Sequence, residues 1–175
     1  MHFKEIDESD VERLVEWFPR NVWPYHAQPQ VDEEWVRRRV AAGAFFGLET
    51  KSFWALADQS PMAVVRVFDL TDITPLVDLR VANEARGRGI GTEALRWLTQ
   101  FVFAAFQETE RLGGYTRHDN LAMIGVFKKC GYVQEAYHRK SWRVEDGSLA
   151  DSVGFSILRS DWLAGTTTPL PGQPL

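Results

Sequence analysis

The sequence predicts an α+β domain built on one mixed central sheet of about six to seven strands with flanking helices. Three observations carry this. Apolar residues recur at helical spacing in the first part of the chain. From Ser52 the period drops to two. One of the strands then runs through a glycine-rich loop straight into another helix. A chain of 175 residues suits one domain with a real core, and no internal repeat or linker divides it.

His2 to Ile6 alternates as a first strand. Val11, Leu14, Val15 and Phe18 then share one helical face between Glu8 and Phe18, with Ser9 and Asp10 as cap candidates. The segment NVWPYHAQPQ is broken by prolines and reads as an aromatic loop. Asp32 caps a second helix reaching Ala42. Ser52 to Ala57 and Met62 to Phe68 are strands joined by the turn DQSP. Leu76 to Val81 follows, with Val77, Leu79 and Val81 on one face and Asp78 and Arg80 on a half-exposed other face. After the glycine loop, Leu95, Leu98, Phe101, Val102 and Ala105 mark a long helix. A short strand from Leu112 to Thr116 leads to a helix over Asn120 to Cys130. Tyr132 to Val144 and Asp151 to Leu158 form a hairpin turning at EDGS. The order is βαα, βββ, αβαββ. The tail GTTTPLPGQPL, rich in proline and threonine, is predicted to be disordered, which leaves residues 1–164 as the single domain.

Composition narrows the function. The net charge of −4 gives no global basic field, so no nucleic-acid partner is expected. The single cysteine, Cys130, excludes an internal disulfide and a multi-cysteine metal site, and the four histidines lack metal-ligand spacing. No metal is expected. MHFKEIDESD lacks a signal-peptide pattern and no apolar run approaches a membrane span, so the expectation is a cytoplasmic protein with no membrane partner.

The stretch EARGRGIGTEALRW is where the chemistry concentrates. A strand, a glycine loop and a helix N-terminus make an anion site, because first-turn amides have no internal partners and the helix dipole adds positive charge. Arg86 and Arg88 add charged donors. A mononucleotide P-loop needs a lysine after its last glycine, and here Gly91 is followed by Thr92. A dinucleotide fingerprint needs glycine where Thr92 stands. The pattern Arg/Gln-x-x-Gly-x-Gly/Ala fits Arg86-Gly87-Arg88-Gly89-Ile90-Gly91 with no mismatch.

In that hexapeptide the sequence resembles the GNAT superfamily of acyl-coenzyme A N-acyltransferases. A second block strengthens the resemblance: Asn120, Ala122, then Phe127-x-Lys129-x-Gly131-Tyr132, about thirty residues after the loop. The hairpin HRKSWRVEDGSLADSVGFSILRSDW is similar to the ending of the subgroup that includes the ribosomal-protein N-terminal acetyltransferases. The resemblance spans roughly Met62 to Trp162, and the first sixty residues match only in element order. It implies the GNAT fold, whose sheet splays at its centre, and acetyl-CoA as cofactor. It implies acetyl transfer to a primary amine, a protein N-terminus or small amine, by direct attack in a ternary complex. The acceptor would be a small molecule or peptide, and a homodimer stays open. A non-catalytic acyl-CoA sensor is the alternative.

Residue roles follow from the resemblance. Val81 and Ala82 end the splayed strand and would pair with pantetheine. Arg86, Gly87, Arg88, Gly89, Ile90, Gly91 and Thr92 would cradle the pyrophosphate. Asn120 would contact the pantetheine arm, or cap its helix, and Phe127 and Lys129 would lie with the cofactor. The family often has a tyrosine acid at the position of Phe127 and, in the subgroup, a hydroxyl at that of Met123. Neither residue here donates a proton. A thiolate leaving group with a pKa of roughly 8.5 costs only about 2 kcal/mol at neutral pH, so an acid is dispensable. Asp78 and His118 are the candidate bases. Trp23, Tyr25 and His26 would line the acceptor side, where aromatic walls suit an apolar or cationic amine.

Overall fold

The computed structural model describes residues 1–171. Strand β1 (His2–Glu5) is followed by α1 (Val11–Trp17) and α2 (Glu33–Ala41). Three strands come next, β2 (Thr50–Ala57), β3 (Ser60–Phe68) and β4 (Leu76–Val81). Helix α3 (Ile90–Ala105), β5 (Arg111–Arg117), α4 (Leu121–Lys129), β6 (Val133–Arg143), β7 (Leu149–Leu158) and α5 (Arg159–Ala164) complete the chain. The seven strands form one sheet in the order β1-β2-β3-β4-β5-β7-β6. The predicted α+β class and element order therefore hold, with α5 as an addition.

Alternation in the strands splits the apolar residues between two cores. On one face, Val65, Val67 and Val77 meet Leu95, Leu98, Val102 and Phe103 of α3 and Phe127 of α4. On the other face, Trp54, Leu56 and Val64 meet Leu14, Phe18 and Trp23 and Val36 of α2. Burial of this kind is worth roughly 25 cal/mol per Å² of apolar surface, the main favourable term here.

The sheet parts at its middle. β1 to β4 is an antiparallel meander, and β5, β7 and β6 pair antiparallel as well. Between the two halves, β4 and β5 run parallel with a single register pair, Leu76 with Gly113. Beyond it the strands diverge, and the C-terminal end of β4 faces open space towards β5.

Two local expectations are corrected. Asp10 holds the N-cap position of α1 but makes no side-chain cap bond there; the capping bond comes one turn earlier, where Asp7 accepts from the Ser9 amide at the start of the 3-10 turn Glu8–Asp10. Asp10 is buried instead, bonding Lys4 Nζ at 3.0 Å and Trp54 Nε1 at 3.2 Å. The tail is not free from its start either: Thr168 bonds the buried Asp161 carboxylate through its amide at 2.9 Å and hydroxyl at 2.6 Å. The last four residues of the predicted disordered tail, 172–175, lie outside the described residues.

Candidate active site

The glycine loop sits where the sheet parts. Gly87 and Gly89 have φ of +72° and +83°, values that L side chains rarely adopt, and a Cβ at either would meet nothing. The loop therefore turns sharply and leaves bare backbone facing outward. Helices α2 and α4 begin with side-chain caps from Asp32 and Asn120. Helix α3 begins at Gly89 with none. The Thr92 amide turns back to the Gly89 carbonyl at 3.0 Å, and the amides of Ile90 and Gly91 stay available to an anion.

Loop, β4 end and α4 start line one cleft of about 410 Å³. From the predicted cofactor set, Val81, Arg86, Gly87, Gly89, Ile90, Gly91, Thr92, Asn120 and Lys129 line it. From the acceptor set, Trp23, Tyr25 and His26 do. Residues distant in sequence are thus brought together at one opening. Asn120 combines both roles weighed for it: its side chain caps α4 through the Met123 amide, donates to Thr116 Oγ1 at 2.9 Å, and borders the cleft. A phosphate-bearing, elongated ligand such as coenzyme A fits this arrangement of open glycines, uncapped helix and flanking cations.

Other expectations do not reach the cleft. Ala82, directly after β4, is buried, and neither it nor Arg88 lines the cleft. Phe127 is core, stacked on Phe155 with ring centroids 5.0 Å apart. Tyr132, read from sequence as a core residue and given no site role, is core; burial pushes its hydroxyl up, and it bonds Thr99 Oγ1 at 2.9 Å. His118 lies exposed at the end of β5, with its amide on the Asp151 carbonyl of β7 and its ring near Tyr137, away from the cleft.

Asp78 is not a free base. Its carboxylate meets His26 Nε2 at 3.2 Å, Arg66 Nη2 at 3.5 Å and Arg80 Nε at 3.5 Å. Burial pushes the carboxyl up, but Arg80, Arg66 and His26 outweigh it and hold it well below the usual carboxylate range. A carboxylate so stabilised has little affinity for a proton. Its neighbour differs. Burial, then Arg80, push the His26 imidazole down, against the opposing hydrogen bond to Asp78, so the ring is neutral at pH 7. With Nε2 on Asp78, Nδ1 is buried with no hydrogen-bond partner.

Arg80 is the residue the sequence hid. Alternation places it on a half-exposed face, yet its side chain is only 11% exposed. Helices α1 and α2 and the aromatic loop fold over it. Its guanidinium lies 5.4 Å from the Phe18 ring centroid, 5.3 Å from Trp23 and 5.7 Å from Trp35. Of the aromatic wall expected to receive a cationic amine, Trp23 faces Arg80 and Tyr25 faces Arg117, 5.3 Å from its centroid, so both rings already hold the protein's own cations. Arg86 also departs from a simple phosphate role. Its Nε donates to the Val81 carbonyl at 3.1 Å and its guanidinium to the Val22 carbonyl, strapping the end of β4 to the aromatic loop.

Comparison with known proteins places these features in context. Residues 1–133 match the family described as acetyltransferase (GNAT) domain. No curated protein matches the sequence. Among solved structures, the spermidine N-acetyltransferase of Vibrio cholerae with CoA and spermine aligns at TM-score 0.78 and 14% identity, over 93% of this chain and 97% of that one. The ribosomal-protein α-N-acetyltransferase RimL with coenzyme A aligns at TM-score 0.78 and 16% identity, over 89% and 92%. A probable acetyltransferase aligns at TM-score 0.72 and 22% identity, over 92% and 95%. The fold is shared with all three.

Proposed function

The chain belongs to the GNAT acetyltransferase family, whose acyl donor is acetyl-CoA, and from that premise we propose that it moves an acetyl group to a primary amine by direct attack in a ternary complex. The observation that supports this most is the continuity of one cleft, from the uncapped start of α3 to His26. Backbone of residues 86–92, with Lys129, would hold the phosphates, and the unpaired edge of β4 near Val81 would take the pantetheine arm. Acetyl-CoA supplies an activated thioester.

The chain's own contribution is a proton acceptor beside that thioester. Asp78 alone is too weak a base, so the His26–Asp78 pair replaces it in this role. Asp78 fixes the ring through Nε2, and Nδ1, buried and unpartnered in a residue that lines the cleft, accepts the proton once the bound amine reaches it. Such a base suits an α-amine, which costs about 1.4 kcal/mol to deprotonate at pH 7, better than an alkylamine, which costs about 4.6 kcal/mol. The acceptor is thus a small-molecule or peptide α-amine.

The test uses the full chain, acetyl-CoA and L-glutamine amide as a neutral α-amine. Free thiol should appear only with the amine present, with the acetylated amide found by mass spectrometry and no acetyl-protein. Coenzyme A binding by calorimetry without any thiol release would make the chain a sensor. No binding at millimolar coenzyme A would remove the cofactor reading.

A further inference from the structure

The charge balance at the acceptor end is unequal. Arg66 and Arg80 share one carboxylate, Asp78, and Arg39 on α2 adds a third cation behind Trp35 at 5.9 Å from its ring. Arg117, beneath Tyr25, is already paired with Asp119 at 2.6 Å. The surplus is visible in single atoms: Arg80 Nη1 and Arg66 Nε are buried with no hydrogen-bond partner. At the acceptor end Arg80 lines the cleft, while Arg86 and Lys129 lie in its cofactor half, and among the described residues no carboxylate lines it. His26 is neutral and cannot offset them.

We propose that this protein selects acceptors in which the reacting amine lies within a few atoms of a carboxylate, and that it discriminates against polyamines. The proposal rests on the acetyl-transfer reading of the same cleft. A polycation entering here meets like charge. The aromatic rings that would stabilise it are taken, Trp23 by Arg80 and Tyr25 by Arg117. An acidic amine meets the opposite situation, the Arg80 guanidinium at the cleft wall, where two guanidiniums share the one Asp78 carboxylate. The acceptor ammonium gives one proton to His26 Nδ1. Its lone pair forms the N–C bond as the C–S bond breaks, the second nitrogen proton goes to the departing sulfur, and the imidazolium returns its proton to solvent.

The experiment compares amines on one frame: L-glutamic acid α-amide, L-glutamine amide and L-lysine amide, with spermidine as the polycation. Thiol release gives kcat/KM for each with the full chain. The acidic amide should exceed the neutral one about tenfold and spermidine at least a hundredfold, with the gap narrowing at high salt. An Arg39→Gln variant, changed at an exposed position, should narrow the gap and leave coenzyme A affinity intact. Without any coenzyme A, N-acetyl-L-glutamate should raise the Tm and spermidine should not. Spermidine or the lysine amide matching the acidic amide would overturn the proposal while leaving acetyl transfer standing. No thiol release from any amine would sink acetyl transfer itself, and the thermal shift would then decide whether the anion site exists.

Discussion

At the scale of single residues, His26 and Gly89 make the sharpest predictions. His26→Gln keeps a polar side chain of similar length but no basic nitrogen. We expect kcat to fall about a hundredfold, within the usual contribution of a general base. The pH profile should change as well. The imidazole is pushed below its ordinary range, so its neutral form persists as pH falls to about 6.5 and is lost only further down. Wild-type activity on an α-amine should therefore decline only on the acid side. The variant's rate should instead climb about tenfold per pH unit until the amine's own pKa, because it depends on amine already deprotonated in solution. A flat profile in the variant would move the base elsewhere. Gly89→Asp places a side chain at φ +83° and a negative charge at the mouth of the uncapped helix. Calorimetry should show coenzyme A affinity reduced at least tenfold, with a stability loss limited to the strain of about 1–2 kcal/mol.

Among the elements, β5 and β7 are the tightest. A Cβ at Gly114 would lie 2.8 Å from Phe127 Cζ and 2.9 Å from Val77 Cγ2, where α4 presses on the strand. Gly114→Ala should cost about 1–3 kcal/mol of stability through overpacking, measured by urea unfolding. A change near zero would mean that Phe127 can retreat from the strand. Elements with their own periodic signal were legible from sequence: β4 at residue precision, α3 from its stripe, and the glycine loop between them. Helix α5 was not, since six residues have no apolar stripe and owe their place to tertiary bonds. Arg159 donates to the carbonyls of Thr109, Phe103 and Phe106. The same limit explains the site. The loop at 86–92 and the aromatics at 23–26 announced themselves by composition. The boxing of Arg80 and the pairing of Asp78 with His26 arise only when α1, α2 and the sheet pack together, and no local spacing encodes them.

For the molecule as a whole, the two antiparallel halves meet along a thin seam, and the cleft lies over it. A ligand spanning that seam binds only the folded chain. Coenzyme A at a hundred times its Kd should add about 2.7 kcal/mol of stability, a rise in Tm of roughly 5–10 °C for a chain of this size. A Tm unmoved by saturating coenzyme A would detach the cleft from the fold. The seam also has a consequence in time rather than in energy. The amides of β4 that face β5 beyond Leu76 have no ladder to hold their protons. In deuterated water they should exchange early, while their neighbours bonded to β3 hold out for as long as the sheet survives. Adding coenzyme A should slow that one row of amides selectively, so that the clock of each amide along β4 reads which edge of the strand the ligand occupies.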